Sequence, residues 1–487
     1  MPETLYDQVA YPSRPFQQTH PLRLALPAAL FGLAYAPMDR ARVLEIGCGE
    51  GGNIIPLALS YPGATIVGFD LAETAIAAGR RTVEALGLTN ISLRTLDILD
   101  AGPDLGEFDY IIVHGVYSWV PEPVREGVMR VIGACLAPEG LAFVSYNALP
   151  GCHLRLLLRE MVMHHLRGRE GFEARLAGAR EFLNLFIANA PDNDPTAFAI
   201  KTYCRAMLDR DPRVLFHDEL GPVFQPFYLH EFADEARRWG LDFLAESEGV
   251  WWREELFPSS RGKAVNAVVG DDPVALHQYL DFLTARLFRQ SILSRTGRSV
   301  SRKVEHRRVR GLWAAGGVRC PDPAPDLVTD APVRFEFAGG AAISLELPAL
   351  KQSLAAIGQA WPGAVAVADL PDHPDVDEGL LQLFTAGHLD LAVGPPPFAT
   401  EPSERPRASP LARLQLDDGE TMLTSLDHAM VLFEDEPSRR FLALLDGTRT
   451  RDDLTAAMAK DGRDPAEVAG LVVNQLKGLA RMGLLIQ

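Results

Sequence analysis

Cysteine is scarce and scattered. The five in this 487-residue chain are Cys48, Cys135, Cys152, Cys204 and Cys320, and no two form a C-x-x-C pair. Neither a disulfide framework nor a cysteine-built zinc site is indicated, and a reducing compartment suits the chain. No metal-ligand constellation is expected. Long apolar runs are also missing. The run from Leu24 to Ala36 contains Pro27 and is too short to span a bilayer. Met1 to His20 is polar and proline-rich, without a signal-peptide core. The expectation is a soluble, cytoplasmic protein with no membrane insertion. Basic charge is in deficit as well. Lys+Arg 47 against Asp+Glu 64 leaves −17, which argues against a general nucleic-acid binder. Arg295, Arg298, Arg302, Lys303, Arg307, Arg308 and Arg310 make one local basic cluster. It reads as a solvated inter-domain segment rather than a phosphate site. There is no internal repeat and no long low-complexity tract.

Hydrophobic residues make up 47% of the chain, and its length suffices for three or four domains. The most informative stretch is Val43-Leu44-Glu45-Ile46-Gly47-Cys48-Gly49-Glu50-Gly51-Gly52-Asn53. It reads as an apolar strand, then a glycine turn, then a helix start. Lacking a Cβ, glycine lets the backbone turn sharply and approach a ligand. Such a turn at the carboxyl end of a first strand is a nucleotide-cofactor site. The glycines alone also satisfy a dinucleotide fingerprint through Gly47, Gly49 and Gly52. Glu45 discriminates: it can accept hydrogen bonds from a ligand ammonium but would repel a pyrophosphate. Asp70 ends a second strand at the distance expected of an acid that binds ribose hydroxyls, and Asp97 stands at the exit of a third.

Pattern and acids together resemble motif I and its companions in class I S-adenosylmethionine-dependent methyltransferases. In that family the acid at the position of Asp97 accepts from the adenine amine. The loop His114-Gly115-Val116-Tyr117-Ser118-Trp119-Val120-Pro121 falls where motif IV faces the transferable methyl, and Tyr146-Asn147 ends the next strand. The aromatic N-terminal segment, Tyr6 to Pro21, reads as a cap over the cofactor. These segments, together with Phe216-His217-Asp218-Glu219-Leu220, Pro226-Phe227-Tyr228 and Tyr279 to Gln290, resemble a bacterial methyltransferase family with a methyltransferase regulatory domain. Its members include rickettsial enzymes that methylate lysines of outer membrane proteins. The resemblance implies S-adenosyl-L-methionine as cofactor and lysine N-methylation of a protein substrate. It places Tyr11, Glu45, Gly47, Cys48, Gly49, Asn53, Asp70, Leu71, Asp97, Ile98 and His114 around the cofactor. Tyr117, Tyr146 and Asn147 are expected to orient the acceptor amine with Trp119 as wall, and His217 and Glu219 to touch substrate. Two other readings stay open: a small-molecule methyltransferase, because fold does not set substrate, and a non-catalytic module that senses the cofactor.

Strand and helix alternate over residues 41–146, which implies a Rossmann-like parallel α/β sheet covered on both faces. The pattern from 152 to 290 reads as helical. The expected units are a cap (1–40), a methyltransferase domain (41–165), a helical regulatory, substrate or dimerisation domain (166–300), a small α+β unit between proline-rich linkers (301–410), and a winged-helix-like tail (411–487). The tail is read as a strand pair near 413–416 and 421–424 followed by three helices. The helical middle region leaves homodimerisation open.

Overall fold

Of five parallel strands, three are buried along almost their whole length, so neither face of the sheet's centre can be left in water. The five are β1 (Arg42–Ile46), β2 (Thr65–Asp70), β3 (Ile91–Thr95), β4 (Phe108–Val113) and β5 (Leu136–Asn147) in a computed structural model that describes residues 13–459 and 465–486. Side chains alternate between two buried layers. Val43, Ile66, Tyr110 and Ile112 enter one core, and Leu44, Val67, Ile111 and Val113 the other. Helix Glu122–Cys135 covers the second layer with Val128, Met129 and Ile132; Pro121 caps it and Pro123 lies in its first turn. Helix Pro21–Leu30 covers the first layer through Leu24, Ala25 and Ala28.

The strand order is β3-β2-β1-β4-β5-β7-β6. Strands β6 (Leu241–Glu246) and β7 (Phe288–Arg295) lie in the stretch read as helical. Their short apolar runs fit either element, and pairing decides. β7 runs antiparallel along β5 from Leu141↔Ser294 to Asn147↔Phe288, and β6 runs antiparallel to β7. One sheet therefore draws on residues 42 to 295, and residues 166–300 are not a purely helical unit. What is helical is the insertion after β5. Helices His153–His165, Phe172–Asn189, Pro195–Leu208 and Pro212–Leu220 pack around their own core of Leu158, Val162, Leu183, Cys204 and Phe216.

Farther on, Val333–Phe337 and Ala342–Leu345 pair as the expected hairpin, followed by helix Pro348–Ala360. In the tail, residues 410–417 form a helix where a strand was expected, because Pro410 opens it and the Ser409 hydroxyl accepts from the Ala412 amide. The strand pair is Met422–Thr424 with Met430–Leu432, and helices Glu436–Ala443, Arg451–Met458 and Pro465–Arg481 follow. No helix among the described residues is long and apolar enough to cross a membrane.

Within the basic cluster Lys303 and Arg307 are exposed, Arg307 beside Asp372, but the other five are not simply solvated. Their guanidiniums are taken up by backbone carbonyls: Arg295 by Gly133 and Leu136, Arg298 by Ala34, Arg302 by Phe243 and Leu244, Arg308 by Leu30, and Arg310 by Val367, Leu370 and Pro371. A planar fork of five donors suits carbonyls that no ladder satisfies. The segment after β7 thus pins the N-terminal helix and the later α+β unit to the sheet.

A buried ion network fixes β7 itself. The Glu246 carboxylate accepts from Arg286 and Arg289 at 2.6 Å each, from the Gln290 amide at 3.0 Å and from the Ser291 hydroxyl at 2.9 Å. Arg289 also donates to Asp281 at 2.8 Å. Burial alone would raise the Glu246 carboxyl, but the two guanidiniums outweigh it and hold it down at about 2. Its contribution to stability is therefore complete above the unfolded-state value near 4.5 and is lost as pH falls toward 2. Glu246→Gln leaves two buried cations short of a partner and should cost about 3–5 kcal/mol. Urea unfolding at pH 7 and pH 3 checks this: the penalty should shrink at the lower pH. An equal penalty at both would contradict the assignment.

Candidate functional site

β1 pairs with β2 on one side and β4 on the other, so the winding reverses between β1 and β4 and a crevice opens beyond their carboxyl ends. A cavity of about 1010 Å³ fills it and continues toward the helical insertion. That is at the upper end of ligand cavities.

Its inner end is the glycine turn. The Gly47 and Cys48 amides donate to the Phe69 carbonyl at 2.9 and 3.1 Å, which ties the turn to the end of β2. Gly47 and Gly49 have φ of +74° and +53°, in the left-handed region open to glycine. A Cβ on Gly47 would come within 2.5 Å of Val116, where the β4 loop crosses close by, whereas the same position on Gly49 faces open space. Asp70 receives the Gly49 and Ala72 amides at 2.9 Å each, so one carboxylate joins the two loops. Asp97 accepts from the Leu99 amide at 2.9 Å in a tight turn at the cavity wall.

Glu45 is the most unusual group here. It is buried, one oxygen accepts from the Asn53 side-chain amide at 2.8 Å, and the other has no hydrogen-bond partner among the described residues. Burial drives its carboxyl up to about 8; the Asn53 bond opposes this and the Asp70 charge adds to it. Asn53 in turn accepts from the Phe16 amide at 3.0 Å and the Thr19 hydroxyl at 3.1 Å. The Ser13 hydroxyl accepts from the Gly52 amide at 3.0 Å. Residues 13–20 thus lie along the turn, and Phe16 sets its ring 3.9 Å from that of His114. His114 shares Ser145 with the Gly115 amide, 3.0 Å each, and burial with the nearby Arg14 charge lowers its imidazole to about 4. It is neutral at physiological pH.

Glu45, Gly47, Cys48, Gly49, Asn53, Asp70, Leu71, Asp97, Ile98 and His114 all line this one cavity, as do Trp119, Asn147, His217 and Glu219. Tyr11 lies outside the described residues.

Tyr117 and Tyr146 are not at the cavity. Both are buried in the sheet's second layer, where Tyr146 stacks on Phe232 at 4.2 Å and Tyr117 packs against Phe227 and Phe232. The alternation of β5 explains it. Tyr146 points to the same side as Val144 and Ala142, while Asn147, one residue later, lines the cavity.

At the outer end the wall comes from the insertion. The Arg155 guanidinium lies 4.5 Å from the centre of the Phe224 ring and 5.3 Å from that of Trp119. It donates to Glu219 at 2.7 and 3.1 Å and to the Asn147 side-chain oxygen at 2.9 Å. Arg210 donates to the same Glu219 at 3.0 Å. Arg155 and Phe224 escaped the sequence reading, whereas Phe16 belongs to the segment read as a cap over the cofactor. Arg155 sits between leucines on an amphipathic helix, and nothing in its spacing announces that this helix turns back onto the strand end.

A "Methyltransferase domain" family model matches residues 43–140, a "Predicted methyltransferase regulatory domain" model residues 211–295, and a "PKMT, C-terminal winged helix domain" model residues 404–484. The chain is 35% identical over 303 residues to uncharacterized protein RP789 of Rickettsia prowazekii, covering 62% of this chain and 54% of that one. It is 35% identical over 235 residues to RP028 of the same organism, covering 48% of this chain and 94% of that one. The match thus spans about half the length of RP789 and nearly all of RP028. Among solved structures, PKMT2 from Rickettsia typhi in complex with AdoHcy is similar over 98% of this chain and 100% of its own, with a TM-score of 0.85 and 27% identity.

One packing contact gives a direct test of the cap. A Cβ on Gly52 would collide with the Ser13 hydroxyl and the Arg14 backbone. Gly52→Ala should therefore expel this segment and speed chymotryptic cleavage after Phe16, with wild-type cleavage rates as the contrary result.

Proposed function

We propose that this chain, which belongs to the class I S-adenosylmethionine-dependent methyltransferases that carry a methyltransferase regulatory domain, methylates lysine side chains of a protein substrate. The observation that carries the reading is the seat of Arg155. A long, flexible, cationic side chain of the protein itself lies over the Trp119 and Phe224 rings and against the Glu219 carboxylate. Aromatic faces and a buried carboxylate are what the cationic tip of a lysine would meet favourably. The likeness to PKMT2 and the winged-helix match support the same reading.

The inner end fits the donor. The bare Glu45 oxygen suits an ammonium, the open side of Gly49 admits close approach, and Asp70 and Asp97 suit ribose and adenine. S-adenosylmethionine supplies an electrophilic methyl that a neutral amine takes in line. A lysine at pH 7 must first lose its proton, at a cost of roughly 4–5 kcal/mol from its reference pKa. Closer to the donor, desolvation in the partly dry channel disfavours the ammonium, and Asn147, which lines the cavity, offers an oxygen to orient the amine. Neutral His114, wedged between Phe16 and Ser145, serves as wall rather than as base. Tyr117 and Tyr146 serve by holding the loop and strand end from behind.

Two outcomes test this. With the Glu45 carboxyl near 8 in the free protein, its proton must leave when an ammonium binds. Calorimetry with AdoHcy at pH 7 in buffers of different ionisation enthalpy should register close to one proton released. Affinity should rise from pH 6 to pH 8, and both effects should vanish in Glu45→Gln. Zero net release by the wild type would show the carboxyl already ionised in the free protein, and unchanged AdoHcy affinity in Glu45→Gln would refute the pairing. For the acceptor, labelled donor with cell extract should mark protein bands at lysine. Trp119→Ala should raise KM for that protein while leaving AdoHcy affinity within about threefold, since the aromatic face it removes lies against Arg155 and Phe224 at the outer end. Label confined to small molecules would favour the small-molecule reading instead.

A further inference from the structure

The turn between strands Met422–Thr424 and Met430–Leu432 is the wing of the C-terminal domain, and it is buried against the cofactor loop. At its tip stands His428, with φ of +56°, one of two non-glycine residues with positive φ among those described. Histidine is among the residues that tolerate this region, but only where the surroundings hold it there. His428 is 2% exposed. Its Nε2 donates to the Asn53 main-chain carbonyl at 2.9 Å, and its ring meets the His20 ring edge-on at 4.9 Å. The neighbouring Asp427 accepts from the Gln17 side-chain amide through both its main-chain and side-chain oxygens, 3.0 Å each. The wing thus grips the cap and the glycine turn at once.

Asn53 is the point where these contacts meet. Its carbonyl takes the wing, its side-chain oxygen takes the cap, and its side-chain amide reaches Glu45. Glu45 has no other donor among the described residues. The residue that orients the acid is therefore itself held from a position 375 residues away in sequence. We propose that the wing completes the cofactor site, with His428 as a positioning residue that holds Asn53, and through it Glu45, toward the donor's amino group. This rests on the reading that Glu45 meets that group. It gives the domain an intramolecular role: its wing is occupied by the catalytic sheet. Coupling must then be reciprocal, so that the cofactor steadies the wing as the wing steadies the cradle.

The test is AdoHcy affinity by calorimetry on the full chain, with three variants whose folding is checked by thermal melting. His428→Leu fills the space without a donor and should weaken binding about tenfold, the scale of one lost buried hydrogen bond. His428→Gln restores an amide donor at similar reach and should recover most of it. Glu45→Gln tests the underlying reading and should weaken binding at least as much as His428→Leu. Amide exchange at residues 425–429 of the wild type should slow when AdoHcy is added. If Glu45→Gln weakens binding and His428→Leu does not, the wing proposal alone falls. If the Leu and Gln variants are weakened equally, shape rather than the hydrogen bond acts, and the positioning role is overturned. Unchanged affinity in Glu45→Gln would remove the premise and the proposal together.

Discussion

A carboxylate buried at the end of a central strand, with one oxygen bonded and the other without a hydrogen-bond partner among the described residues, sets the terms for the rest of this molecule. Glu45 cannot be both ionised and unpaired at low cost, and burial accordingly pushes its carboxyl up to about 8. A group in that state is poised for a cation. The surrounding structure supplies few donors of its own: Asn53 provides one, and Asp70, close enough to add like charge, spends its oxygens on the Gly49 and Ala72 amides. The glycine turn gives access, and the cap and wing close around it. An acid placed here in an open loop would be an ordinary solvated carboxylate.

The same economy of charge appears in the scaffold. Glu246, Arg286, Arg289 and Asp281 are buried together and mutually satisfied, so charges that would otherwise be destabilising hold β6 and β7 in register. Phe288 at the start of β7 also borders the cavity. The register of this antiparallel pair is therefore part of the site, although it arises far from the glycine turn. The arginines after β7 act in another way. They donate to carbonyls at the ends of strands and helices, joining segments that no sheet pairing connects. In sequence they form a basic run. In the fold five of them turn their donors onto backbone carbonyls, while Lys303 and Arg307 stay exposed.

Much of the site was legible in advance, for a reason particular residues make plain. Glu45, Gly47, Gly49, Asp70 and Asp97 lie at or just beyond ends of consecutive strands, and a parallel sheet brings those ends to one edge whatever the rest of the chain does. Tyr117 and Tyr146 were misplaced because a loop or strand end offers two directions, and one step along β5 separates the buried Tyr146 from the cavity-lining Asn147. β6 was misread because six residues of mixed polarity do not distinguish strand from helix until a partner strand is present.

By itself, the sequence determined the local chemistry: a strand, a turn only glycine can make, and acids at the following strand ends. These are short-range constraints, set by backbone sterics and by the period of apolar residues. Tertiary structure alone decided what meets across long separations. It seated Arg155 over Trp119, folded the arginines onto carbonyls and brought His428 to Asn53. Such contacts depend on how buried apolar faces stack, and no local pattern records which polar groups that stacking leaves side by side.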